Sequence, residues 1–157
     1  SNNWPKQSES EMNKFFGNKG QNQAILDMPF PLRIAWEPSR TTTRVSCNAK
    51  CRDAFSSIWT KTLAHYGIAK EQELRLDMFG GCLNVRKMRG GSAWSIHSWG
   101  CAWDIDPDRN QLKWHRNLAS LDDAPYAAFW QIVSAEGLVG LGPARDWDWM
   151  HVQAARL

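Results

Sequence analysis

Five of the ten tryptophans in this 157-residue chain crowd into two short stretches, Trp94, Trp99 and Trp103 in one and Trp147 and Trp149 in the other. An indole covers a large apolar area, so both stretches have to be packed against something. Yet the same stretches hold His97, Asp104, Asp106, Asp148 and His151, groups that resist burial without partners. A β-strand reconciles the two demands, because successive side chains point to opposite faces. Over 101–106, Trp103 and Ile105 then face a core while Ala102, Asp104 and Asp106 face the other way.

Composition removes several classes. Hydrophobic residues make up 43% and charged residues 22%, ordinary for a folded domain and unlike a disordered or fibrous chain. The length suits one domain, able to bury roughly 70% of its unfolded surface. The net charge is +3, but the basic residues are scattered and form no run, so nucleic acid is not an expected partner. No segment reaches 18 consecutive apolar residues, and the first 25 lack an apolar block of signal-peptide length, so neither a membrane span nor an export signal is expected.

Local signals divide the chain. Ser8 with Glu11 ahead of Met12, Phe15 and Phe16 reads as a capping box opening a short helix that Gly17 ends. Pro29, Pro31 and Pro38 make 25–38 read as irregular, and residues 1–40 as a less regular segment before the core of the domain over 41–157. From Cys47 to His65 the stripe Ala54, Ile58, Thr62 with Phe55, Trp59 and Leu63 beside it predicts a helix closed by Gly67. Within its first turns Cys47 and Cys51 would have Cβ atoms about 5–6 Å apart, too wide for a disulfide, so free buried thiols are expected. Short apolar alternations separated by Gly80-Gly81 and Gly90-Gly91 predict strands over 74–106. A second helix is expected over 126–136, and strand again over 138–153. The expected fold class is α+β, a single domain with a small antiparallel or mixed sheet and flanking helices.

Imidazole and carboxylate together are what a catalytic zinc site uses: three protein ligands, a fourth position left to water, and a carboxylate nearby as base. His97, Asp104 and His151 are the candidate ligands and Asp148 the candidate base. Seven residues separate His97 from Asp104, which a continuous strand would place on opposite faces, so Gly100 has to supply a bend. Asp148 likewise has to lie in a loop entering the strand of His151. Asp104-x-Asp106-x-Asp108-x-Asn110 mimics the start of an EF-hand, but Arg109 stands where that loop needs glycine and His115 where it needs glutamate. His65 and His115 have no matching carboxylate and read as ordinary histidines. Trp59 and Trp130 sit on helix faces and read as core, whereas Trp99, Trp147 and Trp149 are equally suited to core or to the walls of a substrate cleft.

The pattern Ser95-x-His97-x-x-Gly100-x-Ala102-x-Asp104, followed by Asp148-x-x-His151, resembles the zinc D-alanyl-D-alanine carboxypeptidase and L-alanyl-D-glutamate endopeptidase family, which includes many phage endolysins. The resemblance implies a Hedgehog/DD-peptidase-like fold, one zinc ion on His97, Asp104 and His151, and Asp148 as catalytic base. It also implies an upstream arginine that contacts the substrate; Arg86 and Arg89 compete, and Arg86 is favoured because Arg89 abuts the Gly90-Gly91 turn. Ser95 is expected to support the motif by hydrogen bonding near the substrate. The implied function is hydrolysis of peptidoglycan stem peptides, with the L-alanyl-D-glutamate endopeptidase first, the D-alanyl-D-alanine carboxypeptidase second, and a non-catalytic zinc-stabilised binding module as the alternative outside enzymes. A monomeric endolysin made in a host cytoplasm and acting on the cell wall is the corresponding expectation.

Overall fold

The computed structural model describes residues 3–157. Ser8 caps a first helix, α1 (Glu9–Phe16), its side chain accepting from the Glu11 amide, and Met12 and Phe16 turn inward. Two long strands follow, β1 (Gln23–Ile34) and β2 (Glu37–Asn48), paired antiparallel as a hairpin. The expectation of an irregular segment before residue 40 is therefore corrected. In β1, Leu26, Met28, Phe30, Leu32 and Ile34 are all buried while Pro29 and Pro31 face outward, a strict two-residue period that outweighs the prolines. The register with β2 slips between Asp27 and Leu32, so the two prolines stand where the ladder needs no N–H donor.

The main helix, α2 (Arg52–Glu73), begins later and ends later than its sequence pattern predicts. Cys47 lies in β2 and Cys51 at the helix cap, both buried and free, as are Cys82 and Cys101. Gly67, with φ 77° and ψ 163°, leaves helical geometry and kinks α2 without ending it. Beyond the kink the helix is rephased, and Glu71 rather than an apolar residue turns inward.

Strands β3 (Met78–Gly81) and β4 (Ala102–Ile105) come next, then α3 (Ala127–Ala135), β5 (Val139–Gly140), the short α4 (Leu141–Arg145) and β6 (His151–Gln153). The region between β3 and β4 is loop with one 3₁₀ turn, Ile96–Trp99, not a run of strands, and α4 interrupts the strand expected over 138–153. The six strands form one mixed sheet in the order β2-β1-β3-β4-β6-β5, parallel only between β1 and β3. The α+β class is thus shown, with a larger sheet than expected.

One face of the sheet carries α2 and α3 and the aromatic core. Trp103 from β4 meets Phe55, Trp59 and Phe79 with ring centroids 5.0–5.4 Å apart, and Trp59 stacks on Phe129. Glycines admit two more indoles: a Cβ on Gly140 or Gly142 would collide with Trp130 or Trp149. Among the described residues no helix is long and apolar enough to cross a membrane.

Candidate metal centre

Strand pairing brings the site together. In the antiparallel ladder of β4 and β6, Asp104 lies directly opposite His151 and Trp103 opposite Val152. Directly opposed residues share a face, so one face of this pair is core and the other carries the carboxylate and the imidazole. His97 arrives from the 3₁₀ turn. Ser95 caps that turn by accepting from the His97 amide, and Gly100 closes it in the left-handed region at φ 71°. This is the bend that the odd spacing requires. A side chain at Gly100 would also run into Gln23 and lie 2.9 Å from the Asn48 amide nitrogen, so glycine is needed there for both conformation and space.

His97 Nε2 lies 3.2 Å from Asp104 Oδ2, and His151 Nδ1 lies 3.3 Å from Asp104 Oδ1. Ligand atoms of all three residues fall within 4.8 Å of one another, and the group can hold a metal ion. The other ring nitrogens are engaged behind the site. His97 Nδ1 donates to the Cys82 carbonyl at 2.8 Å, and His151 Nε2 donates to Gln153 Oε1 at 2.9 Å. In its neutral form each imidazole then turns a lone pair toward the Asp104 carboxylate. Acceptor facing acceptor is repulsive unless protons or a cation lie between them. Asp104 Oδ1 is moreover buried without a hydrogen-bond partner among the described residues, an orphan that a cation would satisfy. Two nitrogens and one carboxylate oxygen are a ligand set suited to zinc.

Protonation reflects this crowding. Burial works to raise the Asp104 pKa, yet the electrostatic pull of His97 and His151 outweighs it and holds the carboxyl far below its usual range. Burial likewise works to lower the His151 pKa, and Asp104 overcomes it, leaving a net rise. Asp148 lies at the rim, its Oδ2 3.7 Å from His151 Nδ1. It occupies the loop before β6 in a left-handed conformation, φ 49°. Burial, aided by the negative charge of Asp104, pushes its pKa up to about 6, against the pull of His151, His97 and Arg86.

Arg86 is half-buried and Arg89 exposed. The Arg86 backbone is fastened to the histidine turn: its amide donates to Ser98 Oγ, and its carbonyl accepts from Ser98 Oγ and the Ser95 amide. Of the two arginines, it is Arg86 whose charge reaches Asp148. The three tryptophans left open between core and cleft wall divide. Trp99 and Trp149 are 1% and 3% exposed, their indoles donating to Asn13 and Asp146, so they are core side chains and not cleft walls. Trp147, 38% exposed, is the one with surface to offer; it lies against His115, next to Asp148.

Three contributors escaped the sequence reading. The Cys82 carbonyl carries no side-chain signal. Ser98 is an ordinary serine by composition. Gln153 had a signal, since it lies two residues beyond His151 on a strand and so shares its face. Comparison of the chain with protein-family models, with curated proteins and with solved structures found no match.

Proposed function

We propose that this protein is a zinc-dependent peptidase that hydrolyses peptidoglycan stem peptides, with the Hedgehog/DD-peptidase-like fold that its two motifs resemble and with the L-alanyl-D-glutamate bond as its target. The observation that carries the proposal is a buried His97, Asp104 and His151 ligand set with Asp148, its proton affinity raised, at the edge. A structural zinc site is normally closed by four protein ligands, whereas three ligands beside a free carboxyl suit hydrolysis. Bound zinc would supply a Lewis-acidic position and a water of lowered pKa.

The chain's own groups account for the proton inventory. Asp148, as carboxylate, accepts the proton of the attacking water, and as carboxylic acid returns it to the departing amine. A pKa near 6 without metal places this group close to the working range for both transfers. Arg86 offers a cation whose charge reaches Asp148 and is assigned to the substrate's carbonyl or carboxylate oxygen. Trp147 is assigned to the exposed wall that meets the peptide, with Arg89 further out.

The test is release of new amino groups from purified peptidoglycan, abolished by chelator and restored by zinc. A new amino-terminal glutamate identifies the L-alanyl-D-glutamate bond; free alanine would instead identify the carboxypeptidase. Zinc-loaded protein that releases neither from several wall chemotypes would overturn the peptidase reading in favour of a zinc-stabilised binding module.

A further inference from the structure

Gln153 is 1% exposed, and its amide has one orientation that satisfies its neighbours. Its nitrogen lies 3.0 Å from the Ala155 carbonyl, which can only accept. The NH2 group therefore points to Ala155, and the carbonyl oxygen points to His151 Nε2 at 2.9 Å. An amide oxygen can only accept, so Nε2 has to carry a hydrogen, which leaves the coordinating lone pair of the neutral ring on Nδ1, facing Asp104. The second N–H of Gln153 is taken by Gln7 Oε1 at 2.9 Å.

Gln7 is held beside Gln153 by backbone pairing of the two chain ends. The Gln7 amide donates to the Arg156 carbonyl, the Arg156 amide to the Pro5 carbonyl, and the Arg156 guanidinium to the Trp4 carbonyl. The segment 4–7 thus lies against 155–156 and closes the back of the centre.

We infer that Gln153 is a positioning residue for the metal centre, which fixes the tautomer and ring orientation of His151, and that Gln7 from the N-terminal segment is the outer link of the same relay. The inference rests on His97, Asp104 and His151 being metal ligands. Its chemistry is general: an acceptor behind a ligating imidazole holds its coordinating lone pair on target and raises its basicity, and loss of such partners weakens metal binding about 10- to 100-fold.

Two substitutions separate positioning from packing. Gln153→Leu keeps bulk and removes the acceptor. Gln153→Glu keeps an acceptor toward His151 but sets its other oxygen against the Ala155 carbonyl, which can only accept, so it harms the fold while preserving the lone-pair orientation. Zinc dissociation constants by competition with a chelating dye, and thermal midpoints of the metal-free proteins, are measured for both and for Gln7→Ala. The expected result is affinity about 10- to 100-fold weaker in Gln153→Leu, within about threefold of the parent in Gln153→Glu despite a lowered midpoint, and only a few-fold weaker in Gln7→Ala. Affinity that follows the midpoints across the series, or that is unchanged in Gln153→Leu, would overturn the inference. A parent protein that takes up no zinc would overturn the metal reading itself, and the inference with it.

Discussion

Glu71 lies in α2 beyond the Gly67 kink, 1% exposed, and neither carboxyl oxygen has a hydrogen-bond partner among the described residues. Burial, with the nearby negative charge of Asp77, raises its pKa from 4.5 to about 8. Unfolded chain loses this proton near pH 4.5, whereas the folded protein keeps it until about pH 8. Between those values the native state binds more protons, so stability is full at low pH and declines as pH rises. A difference of this size corresponds to about 5 kcal/mol over the whole window, with a slope approaching about 1.4 kcal/mol per pH unit. Relaxation and water entry around the carboxylate would halve that figure without changing its sign. Glu71→Gln keeps the shape and the two unpartnered heavy atoms but has no proton to lose. Urea unfolding of both proteins in chelator, from pH 5 to pH 8.5, isolates the effect, since Asp148 and His151 titrate equally in each. The variant should gain on the parent steadily, by about 2–4 kcal/mol at pH 8 relative to pH 5. Stability curves that run parallel across this range would refute the assignment of a buried, neutral carboxyl.

Three further outcomes are expected. Asp148→Ala should retain zinc and lose about 10²- to 10⁴-fold in turnover of wall peptide, whereas His97→Ala and His151→Ala should lose zinc itself, as read by metal content after dialysis. Because Asp104 raises the His151 pKa above 6.5, protons compete with metal at neutral pH and below, so zinc affinity should strengthen about tenfold per pH unit up to that pKa; a flat profile between pH 5 and pH 7 would contradict the raised proton affinity of His151. Gly142→Ala pushes a methyl into the Trp149 ring and should cost about 1–3 kcal/mol in urea unfolding.

Much of this site could be read from sequence because its logic is local. Trp103 and Asp104 are adjacent, and strand alternation alone puts one in the core and the other at the metal centre. The spacing of His97 and Asp104 demanded a bend, and Gly100 provides it. The misread parts depended on partners far away in the chain. Pro29 and Pro31 look like strand breakers until the slipped register with β2 removes the need for their N–H groups. Gly67 looks like a helix end, yet the chain kinks there and runs on as helix to Glu73, with Glu71 buried. Trp99 and Trp149 lie beside the motif residues in sequence, but Trp99 ends the 3₁₀ turn with its ring inward against Asn13, and the Trp149 ring packs on Gly142 of α4.

The two histidines show why a ligand motif specifies a site incompletely. Both present a lone pair to Asp104, yet through different nitrogens, Nε2 of His97 and Nδ1 of His151. Nothing in the identity of a histidine selects between its nitrogens; the hydrogen bond behind the ring does. For His97 that bond goes to a backbone carbonyl just past β3, which any residue at position 82 would supply. It is therefore insensitive to side-chain substitution there and depends only on how β3 leads into its loop. For His151 it goes to a side chain, Gln153, whose own orientation is imposed by Ala155 and Gln7. Half of the centre is thus secured by main chain and half by a relay that one substitution can cut. The asymmetry predicts that Cys82→Ala leaves zinc affinity within about threefold of the parent while Gln153→Leu does not. Equal losses from the two, measured in the same dye competition, would show that the ring partners are not what orients the ligands.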